Sequence, residues 1–207
     1  MTEDDARSWV RERYDVSRET LLARFGDLLV SESEQQNLIA RSTLDTLWSR
    51  HLTDSAQLVP LSEGSGEGIW LDVGSGAGLP GIVVAILTER PVVLVEPRAK
   101  RVAFLRDTAE QLGIADRVTV AASRVESYRP PAPVAIVSAR AVAELSALIL
   151  STAHCTDSST VWLLPKGRSA QSEVDAARAK WQGRFHVEPS ITHPDSGIVV
   201  ATQIGAR

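Results

Sequence analysis

Two hydrophobic rhythms divide the chain. Up to about residue 60, apolar residues recur at three- and four-residue steps: Leu21, Leu22, Phe25, Leu28 and Leu29 in one run, Leu44, Leu47, Trp48 and Leu52 in the next. That spacing puts them on one face of a helix. Thr2 followed by Glu3, Asp4 and Asp5 predicts a capped helix with acids in its first turn. Ser17 is read as the cap of the second helix, and a third is expected to start near Ser42. Pro60 and the polar, glycine-rich segment 62–68 then break the pattern. From residue 69 onward short apolar runs alternate with helical patterns. Ile69–Val73, Val92–Val95, Val118–Ala121, Val134–Ser138 and 161–164 are expected as strands. One helix carries Val102, Leu105, Ala109 and Leu112 and ends at Gly113; a second carries Val142, Leu145 and Leu148; a third, capped by Ser169, carries Val174, Ala177 and Trp181. Residues 185–187 and 198–204, with a turn at 194–197, predict a closing hairpin that supplies an antiparallel edge strand. Such alternation implies a parallel sheet with helices on both sides. The expected organisation is a helical subdomain over 1–60, a linker over 61–68 and an α/β domain over 69–207, with no internal repeat.

Composition narrows the class. A chain of 207 residues holds one good-sized domain with a small appendage, and can bury a full core without metal or disulfide. Cys155 is the only cysteine, which points to a reducing compartment. The longest apolar stretch, 82–87, is too short to cross a bilayer, and the charged first residues carry no apolar signal core, so a soluble cytoplasmic protein is expected. A net charge of −4 argues against nucleic-acid binding at the level of the whole chain. Basic residues are nevertheless bunched: Arg98, Lys100, Arg101 and Arg106, then Arg117, Arg124, Arg129 and Arg140. They read either as a solvated helix face or as a local phosphate-binding patch. The histidines at 51, 154, 186 and 193 form no metal-ligand spacing with Cys155, so no metal is expected.

Candidate chemistry is concentrated in residues 70–81, Trp-Leu-Asp-Val-Gly-Ser-Gly-Ala-Gly-Leu-Pro-Gly. Asp72 lies in a buried strand, and Gly74, Gly76 and Gly78 let the following backbone turn sharply and approach a ligand without a Cβ in the way. Pro80 suits the first turn of a helix. Gly76-x-Gly78-x-x-Gly81 also fits a dinucleotide fingerprint, with Glu96 placed to meet a ribose. Counted from the strand end, that fingerprint begins at Gly74 and puts Leu79 where its third glycine belongs. The D-x-G-x-G-x-G form instead resembles motif I of the class I S-adenosylmethionine methyltransferases. That cofactor has an ammonium, a carboxylate and a sulfonium but no pyrophosphate, which Asp72 and an open backbone can accommodate.

Other strand ends supply further candidates. Glu96, ending the second strand, accepts hydrogen bonds from both ribose hydroxyls in a fold of this kind, or is a surface turn acid. Val125 and Glu126 follow the third strand, where an adenine would meet a backbone N–H and a carboxylate; a plain loop fits the spacing too. Arg140 ends the fourth strand beside the topological switch point, where substrates bind in open α/β sheets. No Asn/Asp-Pro-Pro-aromatic motif stands there, which disfavours methylation of an adenine amino group. Cys155 lies in a helix-to-strand connection rather than at a strand end, which disfavours a cysteine nucleophile for pyrimidine carbon-5. Lys166, after the fifth strand, reads as a phosphate contact or an exposed turn lysine.

Together these residues resemble the ribosomal RNA small subunit methyltransferase G family, also called glucose-inhibited division protein B. The matching runs, over about residues 20–204, are Arg50-His51-Leu52-x-Asp54-Ser55, the 72–81 loop, Lys100-Arg101-Val102-x-Phe104-Leu105, Ser123-Arg124-Val125-Glu126, Arg140-Ala141 and Lys166-Gly167. Glu96-Pro97 departs from a common Asp-Ser, and Ala139 from a common Ser. The resemblance implies an α/β, Rossmann-like class I S-adenosylmethionine-dependent methyltransferase with a mostly parallel seven-stranded sheet and a small N-terminal helical subdomain. It implies S-adenosyl-L-methionine as cofactor, contacted by Gly74, Leu79, Val125, Glu126 and Arg140, beside Asp72, Gly76, Gly78 and Glu96 from the loop reading. It implies 16S rRNA in the small ribosomal subunit as partner and guanine N7 at position 527 of the 530 loop as target. A monomer and mild streptomycin resistance on deletion are also expected. Guanine N7 has a lone pair and no proton, so no catalytic base is named; His51, Arg101 and Lys166 are at most orienting or RNA-contacting groups. A methyltransferase of a small molecule or protein, a nicotinamide dehydrogenase and a non-catalytic RNA-binding factor are the alternatives.

Overall fold

The computed structural model describes residues 1–206. Helix α1 (Glu3–Tyr14) opens with a complete capping box, the Thr2 hydroxyl accepting from Asp5 N–H and the Asp5 carboxylate from Thr2 N–H. Helix α2 (Val16–Ser33) follows after one residue. That residue, Asp15, turns the chain at φ 107 and caps α2 by accepting from Arg18 N–H at 2.8 Å. Ser17, expected as the cap, therefore lies inside the first turn; a one-residue connection leaves the role to Asp15, whose charge also suits a helix N-terminus. Glu19, 1% exposed, pairs with both Arg7 and Arg11 and ties α2 to α1.

The regular third helix expected near Ser42 is instead broken. A 3₁₀ segment over Arg41–Thr46 leads into a wide π turn over Trp48–Leu52, then α3 (Thr53–Ala56) and α4 (Leu58–Leu61), which includes Pro60. The reason lies in α1: the Glu3 carboxylate accepts from Trp48 N–H and Ser49 N–H, each at 2.8 Å, and so supplies acceptors at the start of the π turn.

The remaining elements are β1 (Ile69–Val73), α5 (Gly81–Leu87), β2 (Val92–Val95), α6 (Ala99–Gln111), β3 (Val118–Ala121), β4 (Val134–Ser138), α7 (Leu145–Thr152), β5 (Val161–Lys166), α8 (Ala170–Arg178), β6 (Trp181–Pro189) and β7 (Gly197–Ala206). They form one seven-stranded sheet of order β3-β2-β1-β4-β5-β7-β6, parallel except for β7. The closing hairpin is present, but its antiparallel strand is not the edge. Burial decides this: Ile198, Val199, Val200 and Ala201 of β7 are all buried between two partners, whereas most of β6 is exposed. Trp181, expected in α8, begins β6 opposite Ala206. Val142, expected in α7, lies exposed in the loop before it, and Pro80 immediately precedes α5. Gly113 closes α6 at φ 68, as expected.

Trp70 faces one side of the sheet, where Leu22, Phe25 and Leu29 of α2, Leu52, Ile82, Ile86 and Leu94 share a core. Ile69, Leu71 and Val73 face the other, against Leu148, Ile149 and Val174. The N-terminal helices thus pack into the same core as the sheet. Their packing holds Arg50, His51 and Asp54 against Arg140, two residues beyond the carboxyl end of β4.

Candidate functional site

β1 lies at the topological switch point, with β2 and β3 to one side and β4 and β5 to the other. Two cavities open at the carboxyl ends of these strands. Ala141, Val142 and Ala143 line both and form the partition between them.

The first cavity, about 450 Å³, is lined by Gly74, Glu96, Arg101, Val125 and Glu126 among others. Gly74, Gly76 and Gly78 all hold positive φ (67, 54 and 83), so the loop turns back on itself twice within five residues. A Cβ at Gly74 would come within 2.7 Å of Val142 Cγ2, so glycine is also needed for the partition to close down on the loop. Glu96, 2% exposed, fastens this loop to β2: one carboxylate oxygen accepts from Gly76 N–H at 3.0 Å, the other from Arg98 N–H at 2.8 Å. Arg101 Nη1 stands 3.9 Å from the same carboxylate. Each oxygen accepts one hydrogen bond, which leaves acceptor capacity on a cavity-lining carboxylate, as vicinal hydroxyls require. Val125 and Glu126 open a short 3₁₀ turn (Val125–Ser127), whose first N–H groups have no acceptor within the turn.

The same geometry separates the cofactor readings. Residues 77–81 are buried and none lines the cavity, so the N-terminus of α5 offers no seat for a pyrophosphate. Gly81 serves packing alone, since a Cβ there would run into Leu94 and Asp72. Cavity size, backbone-rich walls and the fixed carboxylate fit an adenosyl cofactor without a pyrophosphate.

Asp72, Gly76, Gly78 and Leu79 are buried and do not line the cavity wall, although all four were expected at the cofactor. Asp72 is 1% exposed; its Oδ1 accepts from Ser138 Oγ at 2.7 Å, and Ser138 Oγ in turn accepts from Trp70 Nε1 at 2.8 Å. Its Oδ2 has no hydrogen-bond partner among the described residues. Burial, outweighing the Ser138 bond, raises the Asp72 carboxyl to about 6.

The second cavity, about 710 Å³, draws its walls from Thr43, Arg50, His51 and Asp54, the 140–144 loop, Lys166 and Gly167, and Ser190 and Thr192 between β6 and β7. Arg140 turns into this cavity, not the first: its Nη1 lies 3.2 Å from both Arg50 O and His51 Nδ1 and 3.7 Å from Asp54 Oδ2. The network fixes the histidine tautomer. Thr43 Oγ1 spends its proton on Ala40 O at 2.7 Å, so His51 Nε2–H donates to Thr43 Oγ1, also at 2.7 Å, and Nδ1 accepts from Arg140. Burial, followed by the charges of Arg140 and Arg50, lowers His51 to about 3 and keeps it neutral.

Lys166 is not a free cation. Its Nζ donates to Ala143 O at 2.7 Å and pairs with Glu173 Oε2 at 2.8 Å, and Glu173 also accepts from Leu145 N–H and Ser169 Oγ. It pins the partition loop to α8. The structure therefore brings His51, Arg140 and Lys166 together in one cavity and Gly74, Glu96, Arg101, Val125 and Glu126 in the other. Sequence reading missed Thr43, Asp54, Glu173 and Thr192 as parts of the network. The one signal was Asp54 three residues after His51, one helical step along the same face. Among the described residues no three His, Cys, Asp or Glu side chains converge as a metal site, and no helix is long and apolar enough to cross a membrane.

Comparison with known proteins gives the same family by independent routes. Residues 18–196 match the family model GidB, rRNA small subunit methyltransferase G. A ribosomal RNA small subunit methyltransferase G from Rhizorhabdus wittichii is 48% identical over 100% of this chain and 95% of its own length. One from Sphingopyxis alaskensis is 47% identical over 95% of this chain and 84% of its own. Among solved structures, the glycopeptide N-methyltransferase MtfA complexed with S-adenosyl-L-methionine superposes with a TM-score of 0.59 at 12% identity, covering 73% of this chain and 87% of that one. A precorrin-6y C5,15-methyltransferase from Geobacter metallireducens gives 0.53 at 13% identity over 81% and 92%. At such identities the likeness is one of fold.

Proposed function

Because the chain belongs to the rRNA small subunit methyltransferase G family, an S-adenosylmethionine-dependent rRNA methyltransferase, we propose that it methylates N7 of guanine 527 in the 530 loop of 16S rRNA. The observation that carries this reading is the pair of adjoining cavities sharing the 141–143 partition. When bound, the cofactor supplies an electrophilic methyl group on a positively charged sulfonium. The residues of the first cavity divide the work of holding it. Glu96 would receive the ribose hydroxyls, Val125 and Glu126 would meet the adenine, and the backbone at Gly74 would support the methionine portion. Arg101 stands beside Glu96, 3.9 Å from its carboxylate.

The second cavity receives the base. Neither His51 nor Lys166 is set to remove a proton: both His51 nitrogens are engaged and the ring is neutral, and Lys166 is ion-paired. Guanine N7 needs no such residue, since its lone pair carries no proton. Rate enhancement then rests on alignment of the base against the partition and on electrostatics around it. Asp54 near Arg140 tempers a positive charge that would otherwise oppose a purine becoming cationic.

The product tests the reading directly. N7 methylation opens the purine to borohydride reduction and aniline cleavage. Small-subunit RNA from cells carrying the protein should break at that guanine, and the break should vanish on deletion, together with a gain of mild streptomycin resistance. An unchanged cleavage pattern overturns the assignment of target, whatever methyl transfer is measured elsewhere.

A further inference from the structure

We propose that Asp54 is the residue that selects guanine, by accepting hydrogen bonds from the Watson–Crick edge of the base in the second cavity. This rests on that cavity being the base site. Asp54 reaches it from the N-terminal turn, and its two carboxylate oxygens are unequal. Oδ1 is saturated, accepting from Gln57 Nε2 at 2.9 Å and Thr192 Oγ1 at 3.0 Å. Those anchors are themselves held, since Gln57 Nε2 also donates to Ser190 Oγ and Gln57 Oε1 accepts from Ile191 N–H at 2.9 Å. Oδ2 has only the Arg140 guanidinium, at the long separation of 3.7 Å, and therefore keeps acceptor capacity on a cavity-lining side chain. A carboxylate anchored through one oxygen and open at the other is a positioned acceptor, not a structural plug.

The chemistry of the bases supplies the rest. Enzymes that act on an extruded base read it through its Watson–Crick edge. Guanine alone presents adjacent N1–H and N2–H₂ donors there, while adenine offers a bare N1 acceptor that a carboxylate repels. N7 lies across the ring from that edge. A base with N7 toward the 141–143 partition presents its donors to a different wall. Asp54 is anchored in such a wall, through Thr192 of the β6–β7 connection.

The test is a substrate-by-residue cycle on small subunits reconstituted with guanosine or inosine at the target position. Inosine keeps N7, O6 and N1–H but lacks the amino group. Wild-type protein should lose about tenfold or more in kcat/KM on inosine, the worth of a hydrogen bond to a charged acceptor. In Asp54→Asn the guanosine-to-inosine ratio should fall to near one, with S-adenosylmethionine affinity unchanged by calorimetry. Thr192→Ala, which keeps the carboxylate but removes one anchor, should give an intermediate ratio and serves if Asp54→Asn does not fold. A folded variant set that keeps the wild-type ratio overturns the role of Asp54 alone. Wild-type protein that transfers no methyl to guanosine subunits overturns the base-site reading and this proposal with it.

Discussion

The first cavity takes much of its wall from the strand ends and the loops after β1, β2 and β3: Val73 and Gly74, the 96–98 segment and the 123–126 segment. Its neighbour takes its polar groups from Thr43, His51, Asp54, Arg140, Lys166 and Thr192, which no local stretch of chain brings together. In the first, backbone conformation is the design, so glycine at a few positions and one well-placed acid specify it. In the second, side chains hold one another in a network that exists only once α1 has fixed the 48–54 turn through Glu3. The difference predicts that point changes in the first cavity abolish binding with the fold intact, while changes in the second redistribute a network.

Gly76→Val should break the first cavity most completely. Its φ of 54 is one a branched residue rarely adopts, and its Cβ would meet only Arg101 Nη1 at 3.5 Å and Gly74 O at 3.6 Å rather than core atoms. The fold should persist while S-adenosylmethionine affinity falls about a thousandfold, roughly 4 kcal/mol. Methyl transfer retained by a folded Gly76→Val protein would show that this glycine serves only the turn.

Asp72 separates support from contact. Its carboxyl is raised to about 6 in the folded protein from an ordinary 3.8, so the fold prefers the protonated form. Stability from this group is full below pH 3.8 and is lost as pH rises toward 6, by about 3 kcal/mol in all. Asp72→Asn should remove that slope, so the difference in unfolding free energy between variant and wild type should grow from pH 4 to 7 in urea titrations. Cofactor affinity should change less than stability. Lost affinity with an unchanged pH slope would put Asp72 in direct contact with the cofactor.

Glu96→Ala tests the carboxylate that both fastens the loop and faces the cavity. Losing the acceptor for Gly76 N–H and Arg98 N–H along with the proposed ribose contact should cost at least tenfold in calorimetric affinity. Unchanged affinity would remove Glu96 from the site.

How much of this was legible follows the same divide. The positions of the five parallel strands β1 to β5 and of the closing hairpin, the glycine loop and Glu96 were readable because each is encoded within a few residues: apolar runs, positive-φ glycines, an acid at a strand end. The second cavity was not, although Arg50-His51-Leu52-x-Asp54 marked one wall of it. Nothing local announces that Arg140 turns away from the first cavity toward His51, or that Glu173 claims Lys166. The break in the third helix was hidden for the same reason, since its partner Glu3 lies 45 residues away. The closing hairpin was read only as supplying an antiparallel edge strand, because a hairpin predicts pairing with its neighbour but not insertion between two strands.

The smallest effect concerns RNA, and it distinguishes cations that are free from cations already spent. Lys100 and Arg124 are exposed, beside the first cavity, with no side-chain ion pair among the described residues. Lys166 is committed to Glu173 and Ala143. Binding to small subunits should weaken with salt, since each phosphate contact releases counterions, by about 0.7 of a logarithmic unit per contact on single strands for each tenfold rise in salt. Lys100→Ala and Arg124→Ala should each lower that slope by about this amount, roughly a 2.5-fold difference over a fourfold change in salt. Lys166→Ala should leave the slope unaltered and act instead through a loosened partition, slowing methyl transfer at saturating RNA. A slope that drops for Lys166→Ala but not for Lys100→Ala would mean that the ion pair opens to phosphate and that RNA approaches over the second cavity. A binding curve flat in salt for the wild-type protein would revive a small-molecule or protein substrate, which the net charge of −4 would then suit.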